Sequence, residues 1–247
     1  MIAVTAGCDG LGTPDRVLAY TKATRLEQGA NTRAKIVAMS SQALADELAY
    51  MADTIPSSWE FVDYTFEILN VTRAFTHQFV RTRTGSYAQQ TMRLLEKKQF
   101  TYRVPPKLLA PDKANARRIY EGCMANIQEQ YDSLLRLGVA AEDARGVLPT
   151  NIHTNIIAKF NLRTLAEMAR SRTGGRTQDE YREVVGLMVA RVIEACPWTD
   201  KFLNPERGRR CAEIEKIVIS GHIHGGLTAE ERATAMKHLD AMRKGEA

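Results

Sequence analysis

Residues 73–93 bring together side chains that can bind a phosphorylated ligand. Four arginines lie among amides, hydroxyls and one glycine: Arg73, Arg81, Arg83 and Arg93. A guanidinium stays charged at any working pH, and its planar fork of donors fits phosphate oxygens. Glutamine and hydroxyl side chains can add hydrogen bonds to a base or a sugar. The segment is therefore typical of a pocket for a small molecule such as a nucleotide, and a solvated helix face is the alternative.

The order of the polar residues in this stretch resembles the signature segment of the flavin-dependent thymidylate synthases. That segment runs Arg-His-Arg, a short spacer, Ser-Tyr, a few polar residues and then Ser-x-Arg. Here it is matched by residues 81–83 (Arg-Thr-Arg), 86–87 (Ser-Tyr) and 89–93 (Gln-Gln-Thr-Met-Arg). Thr91 keeps the hydroxyl of the family's serine, whereas Thr82 replaces a histidine.

Later segments extend the resemblance across residues 54–203. The family shows Glu-x-Ala-Arg before Leu-Pro, then Asn-x-Arg-x-Leu, a further arginine, and a long helix that closes at Cys-Pro-Trp. The matching segments here are residues 142–145 with 148–149, residues 161–165, Arg172 and residues 196–198. A motif match gains meaning from its context, so several motifs in the family's order carry more weight than one alone.

The resemblance implies which residues bind each ligand. The positions that match nucleotide-binding residues are Gln78, Gln89, Gln90, Thr91, Met92, Arg93, Arg145 and Arg172. Arg172 is the implied catalytic residue, because a cation beside the pyrimidine would stabilise the negative charge that develops as C5 attacks. The positions that match flavin-binding residues are Arg81, Thr82, Arg83, Thr84, Asn161, Arg163, Glu167 and Arg176. Glu167 and Arg176 stand where the family more often has Asn and His, and a helix-surface charge pair is their alternative role.

The implied reaction transfers a one-carbon unit from methylenetetrahydrofolate to C5 of dUMP and yields dTMP. Reduced FAD supplies the hydride and NADPH re-reduces the flavin, so the protein contributes orientation and charge. The chain agrees with this division, since it has many arginines and no evident nucleophile. The family works as a homotetramer whose sites are built from several subunits, and the same assembly is expected here.

Two histidines of the family's pattern are replaced, which leaves other activities open. Thr82 stands in the Arg-His-Arg motif, and Phe61 follows Glu60 where the family usually has Glu-His. Threonine cannot carry a proton near neutral pH, whereas histidine can. Capture of the methylene adduct by water would make the protein a dUMP or dCMP hydroxymethylase. A non-catalytic flavin or nucleotide binder is the third possibility.

The local sequence predicts the elements that position the arginine-rich segment. Residues 62–68 and 152–160 alternate apolar with polar side chains, which is typical of half-buried strands. Thr72 is suited to cap a helix that turns Phe75 and Phe79 toward the core. The arginine motif at residues 81–83 would therefore lie at the C-terminal end of this helix, which follows the strand at residues 62–68.

The segments that follow are predicted in the same way. Residues 85–93 are expected to form a loop, because they combine a glycine with polar side chains. A long helix is expected to turn Ile119 and Tyr131 inward, and Thr177 with Glu180 predicts a capping box for another helix. The resemblance implies an α+β fold in which helices pack on a mainly antiparallel sheet.

Composition limits the class of protein and its partners. Hydrophobic residues make up 44% and charged residues 26% of the 247 residues, which is ordinary for a globular protein with one sizeable core. The net charge of +5 suits anionic ligands, but no lysine-rich run is present, so nucleic acid is not an expected partner. The four cysteines form no short-spaced pair, which fits reduced thiols in the cytoplasm. No apolar stretch approaches membrane length, so no membrane partner is expected.

The C-terminal part of the sequence lies outside the resemblance. Residues 1–203 are predicted to form the family's domain, and residues 204–247 an extension of unknown role. His222 and His224 alternate onto one face of a possible strand, but no third ligand is nearby, so no metal site is predicted. A hydroxyl and a carboxylate at residues 228 and 231 are expected to cap a final helix.

Overall fold

The computed structural model describes residues 2–5, 11–25, 29–92, 99–172, 177–204 and 228–244. These residues form helices and one small sheet, which confirms the predicted α+β fold class. The strands are β1 (Ile2–Thr5), β2 (Asp63–Thr72), β3 (Ser86–Gln89) and β4 (His153–Asn161). The helices are α1 (Pro14–Ala23), α2 (Ala30–Val37), α3 (Ser41–Thr54), α4 (Arg73–Phe79), α5 (Ala114–Arg136), α6 (Ala141–Ala144), α7 (Leu162–Arg172), α8 (Asp179–Ala195), α9 (Asp200–Leu203) and α10 (Ala229–Lys244).

The described residues form two compact units. The first unit is drawn from Met1–Thr5, Asp63–Phe160 and Thr177–Val184, and it contains the sheet with α4, α5 and α6. The second unit is drawn from Ala6–Val62, Asn161–Arg176 and Val185–Ala247, and it contains α1, α2, α3 and α7. Helix α8 contributes its first residues to the first unit and the rest to the second.

The sheet of the first unit has the strand order β1-β2-β4-β3. β1 pairs antiparallel with β2, and β3 pairs antiparallel with β4. Alternation along β2 buries Tyr64, Phe66 and Ile68, and alternation along β4 buries Ile156 and Phe160. Both strands were predicted from this period, and the structure confirms them.

The alternation along β2 changes phase at Asn70. This residue has a φ of 56° and is exposed together with Leu69, whereas the next two residues, Val71 and Thr72, are both buried. Asparagine tolerates the left-handed conformation better than most residues. The backbone N–H of Asn70 donates to the Oδ1 atom of Asn155 on β4 at 3.0 Å, which holds the irregular turn in place. Val71 is thereby buried out of phase, whereas Thr72 keeps the inward direction of Tyr64, Phe66 and Ile68 and caps the next helix.

Residues 86–89 form the strand β3, so the prediction of a loop over residues 85–93 was wrong for this part. Ser86 lies opposite Lys159, and Gln89 lies opposite Ile156 in the pairing with β4. The ring of Tyr87 packs edge-on against Phe160, with 5.6 Å between the ring centroids. A cross-strand partner and an aromatic contact thus outweigh the polar composition of the segment, which by itself favours a loop.

Helix α4 begins as predicted. The Oγ1 atom of Thr72 accepts the backbone N–H of Phe75 at 3.0 Å, and Phe75 and Phe79 are fully buried. The predicted capping box at Thr177 was wrong. The carboxylate of Glu180 instead accepts both the N–H and the hydroxyl of Thr72, and the described residues show no hydrogen bond between Thr177 and Glu180.

The long helix α5 contributes less to the core than its sequence suggests. Tyr131 is fully buried as predicted, but Ile119 is 62% exposed, so its predicted inward position was wrong. The helix has a single buried residue in addition to Tyr131, namely Met124. An apolar residue near a helix terminus can thus share a periodic pattern with the core without meeting a packing partner.

The second unit has its own aromatic core. The indole N–H of Trp59 donates to the backbone oxygen of Met51 at 3.1 Å, and its ring meets Phe202 edge-on with 5.0 Å between centroids. Leu162 and Leu165 of α7 are fully buried. The hydroxyl of Thr228 and the carboxylate of Glu231 form the predicted cap of α10.

The histidine pair at residues 222 and 224 lies outside the described residues, as does most of the segment between α9 and α10. The predicted boundary after residue 203 stays a prediction. Among the helices that the structure describes, none combines the length and the apolar character needed to cross a bilayer.

Candidate functional site

A cleft of about 330 Å³ opens on the surface of the first unit. It lies between α4 and the segment that follows α6, and its volume falls within the range of small-molecule sites, about 300–1,000 Å³. The lining residues are Arg73, His77, Met92, Arg145, Gly146, Leu148, Pro149 and Thr150. Cationic side chains thus face a wall that is largely apolar.

The start of α4 is fixed by backbone hydrogen bonds to the chain just before β4. The N–H of Arg73 donates to the oxygen of Ile152 at 3.1 Å, and the N–H of Ala74 donates to the oxygen of Thr150 at 2.7 Å. The side chain of Arg73 reaches the cleft, where its Nη1 atom lies 3.5 Å from the backbone oxygen of Gln90. His77 follows one helical turn later and therefore lies on the same face of α4.

Arg145 enters the cleft from the opposite side. It lies in the single 3-10 turn after α6, and its Nε atom donates to the backbone oxygen of Glu142 at 2.9 Å. Pro149 ends this turn by disfavouring a helical conformation at Leu148. The sequence Arg-Gly-Val-Leu-Pro thus presents one guanidinium from a short and rigid connection.

Arg73 and Arg145 place two positive charges in the cleft. Burial lowers the pKa of Arg73, and the nearby charge of Arg145 lowers it further. Among the ion pairs formed by the described residues, none involves Arg73 or Arg145. Two guanidiniums that repel each other and have no carboxylate partner within the described part of the chain favour a bound anion, which would replace repulsion by charge-assisted hydrogen bonds.

Other arginines of the chain are already neutralised. In the first unit, Arg103 pairs with Glu183 at 2.7 Å. In the second unit, Arg163 lies between Glu60 at 2.7 Å and Glu167 at 3.2 Å. Each pair has at least one well-exposed partner, so it adds little to stability. Arg73 and Arg145 differ from these arginines in lining the cleft without an ion pair to another described residue.

The family comparison agrees with the resemblance seen in the sequence. Residues 12–198 match the family described as thymidylate synthase complementing protein. This chain belongs to that family. It is 36% identical over 163 residues to a flavin-dependent thymidylate synthase of Clostridium tetani, which covers 59% of this chain and 64% of the relative. A flavin-dependent thymidylate synthase of Geobacter sulfurreducens is 33% identical over 219 residues, or 83% of this chain and 93% of the relative.

The match to other members of the family is shorter. A flavin-dependent thymidylate synthase of Sulfurisphaera tokodaii is 33% identical over 144 residues, which covers 58% of this chain and 54% of the relative. The chain therefore spans less than two thirds of the length of the relatives from Clostridium tetani and Sulfurisphaera tokodaii. The similarity nevertheless includes both the arginine-rich segment and the later motifs, since the family match reaches residue 198.

The predicted nucleotide-binding residues of the first unit lie on α4, on β3 and at the cleft. Met92 and Arg145 line the cleft, and the backbone of Gln90 contacts Arg73. The amide of Gln89 donates to the hydroxyl of Thr76 at 2.8 Å. The remaining two are exposed: Gln78 donates to Gln178 at 3.0 Å, and Thr91 follows β3.

The predicted flavin-binding stretch forms a turn at the end of α4. Arg81, Arg83 and Thr84 are exposed, and Thr82 is half-buried. The hydroxyl of Tyr87 lies 2.8 Å from the backbone oxygen of Thr82 and 3.0 Å from that of Phe79, so it can donate to either carbonyl. Burial raises the pKa of Tyr87 to about 12, which keeps this hydroxyl a donor at physiological pH.

The other predicted site residues lie in the second unit or outside the described residues. Asn161 accepts the backbone N–H of Thr164 at 2.8 Å and so stabilises the start of α7. Arg163 and Glu167 form the ion pairs given above, and Arg172 is exposed at the end of α7. Arg93 and Arg176 fall outside the described residues.

Sequence reasoning missed several members of the cleft as site residues. Arg73 opened the arginine-rich segment but matched no position of the family's motif, and His77 was not assigned to a site. Their spacing of four residues was the available signal, because residues at i and i+4 share a helix face. The remaining members surround Arg145 and could not be recognised without the turn that brings them to α4: Gly146, Leu148, Pro149 and Thr150.

Proposed function

We propose that this protein is a flavin-dependent thymidylate synthase, which transfers a one-carbon unit from methylenetetrahydrofolate to C5 of dUMP. The cleft supports this proposal, because it offers two guanidiniums that pair with no carboxylate of the described residues, in a family whose named members carry this activity. Arg73 and Arg145 are the residues that we assign to the phosphate. A dianionic phosphate would satisfy both forks of donors, which water alone does less well.

The remaining nucleotide contacts follow from the residue types. Met92, Leu148 and Pro149 offer an apolar wall suited to the uncharged part of the ligand. We assign Gln78, Gln89, Gln90, Thr91 and Arg93 to the nucleotide as well, since amides and hydroxyls can bind a base or a sugar. Arg172 is proposed to lie beside the pyrimidine, where its charge would stabilise the negative charge that builds up as C5 attacks.

The residues of the proposed flavin site fit FAD unequally. Arg81 and Arg83 are exposed and take part in no ion pair among the described residues, so they fit the diphosphate of FAD. Arg163 already pairs with two carboxylates, so a flavin phosphate would have to compete with Glu60 and Glu167 for its donors. Thr82, Thr84, Asn161 and Arg176 complete the proposed set. When bound, reduced FAD supplies the hydride that converts the transferred carbon to a methyl group, and NADPH restores it.

A hydroxymethylating activity is the second candidate. The residue that favours it is Thr82, which has no group that titrates near neutral pH where relatives of the matched motif have a histidine. Phe61 is exposed at the corresponding second position and also carries no titratable group. If water captures the methylene adduct, the product is a hydroxymethyl nucleotide of uracil or cytosine. A homotetramer in the cytoplasm is the assembly and location that we propose for either activity.

Mass analysis of the nucleotide after one incubation separates these activities. The protein is mixed with C5-tritiated dUMP, methylenetetrahydrofolate, FAD and NADPH, and dCMP replaces dUMP in a parallel reaction. Thymidylate synthesis predicts release of tritium and formation of dTMP, whereas hydroxymethylation predicts a product heavier by one oxygen atom than the methylated form of the same nucleotide. A yellow protein that releases no tritium with either nucleotide would refute both activities and favour a non-catalytic binder.

Arg73→Gln tests whether the nucleotide phosphate binds in the cleft. A charge-assisted hydrogen bond contributes about 1.5–3 kcal/mol, so the variant should bind dUMP more weakly by a factor of at least about 10 in calorimetry. Arg117→Gln is the matched control, because Arg117 lies on exposed α5 and pairs only with Glu121 among the described residues. Equal dUMP affinity in both variants would exclude Arg73 from the phosphate site.

A further inference from the structure

Glu180 is a buried carboxylate that the proposed reaction does not use. It is the second residue of α8, and its side chain is only 3% exposed. A buried carboxylate is costly unless it accepts hydrogen bonds or meets a positive charge. The groups that contact Glu180 therefore show how the cost of its burial is compensated.

The main partner of Glu180 is Thr72. Oε1 accepts the backbone N–H of Thr72 at 2.8 Å, and Oε2 accepts its hydroxyl. Arg103 is a weaker partner, since its Nη1 atom lies 3.8 Å from Oε1 while its Nη2 atom lies 2.7 Å from Glu183. Glu180 thus contacts Thr72, the N-cap residue of α4, more closely than it contacts Arg103.

This contact decides how Thr72 caps α4. Because the hydroxyl hydrogen of Thr72 points to Glu180, the oxygen keeps a lone pair for the N–H of Phe75, which lies 3.0 Å away. The carboxylate therefore selects the orientation of the Thr72 side chain that stabilises the first turn of the helix. Without it, the hydroxyl hydrogen would be free to rotate, and the N–H of Thr72 would be buried without a partner.

The capped turn carries one of the two arginines of the cleft. Arg73 follows Thr72 directly, and His77 lies one turn further along the same helix. Thr72 is the last residue of β2, so the cap also sets the direction in which α4 leaves the sheet. A small rotation of this turn would move the guanidinium of Arg73 relative to Arg145.

We propose that Glu180 is a positioning residue for the nucleotide cleft. Through Thr72 it holds the first turn of α4 in the orientation in which Arg73 and Arg145 together bind the phosphate. This inference rests on the proposed function, since it requires that the cleft binds the phosphate of dUMP. Glu180 itself is not a lining residue of the cleft and takes no part in the reaction.

Glu180→Gln tests the positioning role, with Glu183→Gln as the matched control. Both residues lie on α8 and face Arg103, but only Glu180 contacts Thr72. In calorimetric titration with dUMP, Glu180→Gln should raise Kd about 5- to 20-fold, and Glu183→Gln should leave it within twofold. Titrations are run well below the melting temperature of each variant, so that all of the protein is folded.

Kinetics separate positioning from a loss of folded protein. Misplacement of Arg73 predicts a higher KM for dUMP with kcat changed less than threefold, whereas partial unfolding predicts a lower kcat with unchanged KM. Thr72→Val keeps the shape of the side chain without its hydroxyl and should reproduce the effect of Glu180→Gln, while Thr72→Ser should bind dUMP like the wild type. The double variant Thr72→Val/Glu180→Gln should be no weaker than either single variant.

The outcomes distinguish the two proposals. Wild-type affinity for dUMP in Glu180→Gln, or in Thr72→Val if Glu180→Gln does not fold, would overturn the positioning role. Failure of the wild-type protein to bind dUMP would instead overturn the proposed function and the phosphate site with it. Tighter binding of dUMP by Glu180→Gln would also contradict the inference, because it would indicate that the carboxylate acts by repelling the phosphate.

Discussion

His153, the first residue of β4, makes the stability of the folded protein depend on pH. Its Nδ1 atom lies 3.1 Å from the hydroxyl of Thr101. Burial lowers the pKa of His153, while Glu180 opposes this shift and Arg103 adds to it. The folded protein therefore binds the proton less readily than the unfolded chain does.

This shift predicts a loss of stability in mild acid. Between the lowered pKa of the folded state and the unfolded value of about 6.5, the unfolded chain carries more protons, so stability falls as the pH drops below about 6.5. His153→Gln removes the titrating group and should reduce the difference between the melting temperatures at pH 7.5 and pH 5.5. The same difference in both proteins would show that His153 does not contribute to acid sensitivity.

At the scale of single residues, the sequence indicated which side chains have the chemistry to bind a ligand, but not which residues those side chains contact. Arg145 was predicted to bind the nucleotide from its motif, whereas Arg73 was not, because its proposed role depends on meeting Arg145 across the cleft. Glu180 was interpreted as half of a local capping box with Thr177. A carboxylate can accept from any donor within reach, and the donor chosen, Thr72, is distant in the chain.

The junction of α4 with β3 depends on the absence of a side chain at Gly85. A Cβ atom at this position would lie 2.4 Å from Cε1 of Phe160 and 2.8 Å from the hydroxyl oxygen of Tyr87. Both rings are packed against Phe79 and have little room to move. Gly85→Ala should therefore destabilise the protein by about 1–3 kcal/mol, measured as the free energy of unfolding in urea.

Gly122→Ala is the control for this substitution. Gly122 lies within α5, and a Cβ atom there would meet no atom within 4 Å. Alanine favours a helix over glycine by about 0.5–1 kcal/mol, so this variant should be as stable as the wild type or more stable. If Gly85→Ala proved as stable as Gly122→Ala, the tight contact with Phe160 would not constrain the junction.

At the scale of elements, strands and helices with a strong internal period were predictable. β2, β4 and α4 bury residues at the spacings of two and four that their sequences show. β3 was not predictable, because its four residues are too few to show a clear alternation of apolar and polar side chains. They form a strand only by pairing with β4. The exposed Ile119 of α5 is the opposite case, since its period was present and its packing partner was not.

For the whole molecule, the proposed tetramer predicts complementation between subunits. Arg145 belongs to the first unit and Arg172 to the second, and we propose that a complete site takes such residues from different chains. Arg145→Gln and Arg172→Gln, each inactive alone, should therefore regain part of the dTMP-forming activity after they are unfolded and refolded together. Some sites of the mixed tetramers would contain both arginines.

Arg73→Gln mixed with Arg145→Gln provides the control. These two residues line the same cleft of one chain, so every cleft in the mixture keeps one defect, and no activity should return. Recovery in this mixture, or its absence in the first one, would contradict a site shared between subunits. Light scattering of each mixture confirms that tetramers have formed before activity is compared.

The sequence by itself determined the family, the α+β class and the elements whose signals are local. Periodicity and helix caps need only neighbours within a few residues, and motif order survives in the printed chain. The tertiary structure alone decided that β3 is a strand, that Glu180 binds Thr72, and that Arg73 lies near Arg145 in one cleft. Each of these depends on the distance between residues far apart in sequence, which is set by how the elements pack and not by the residues themselves.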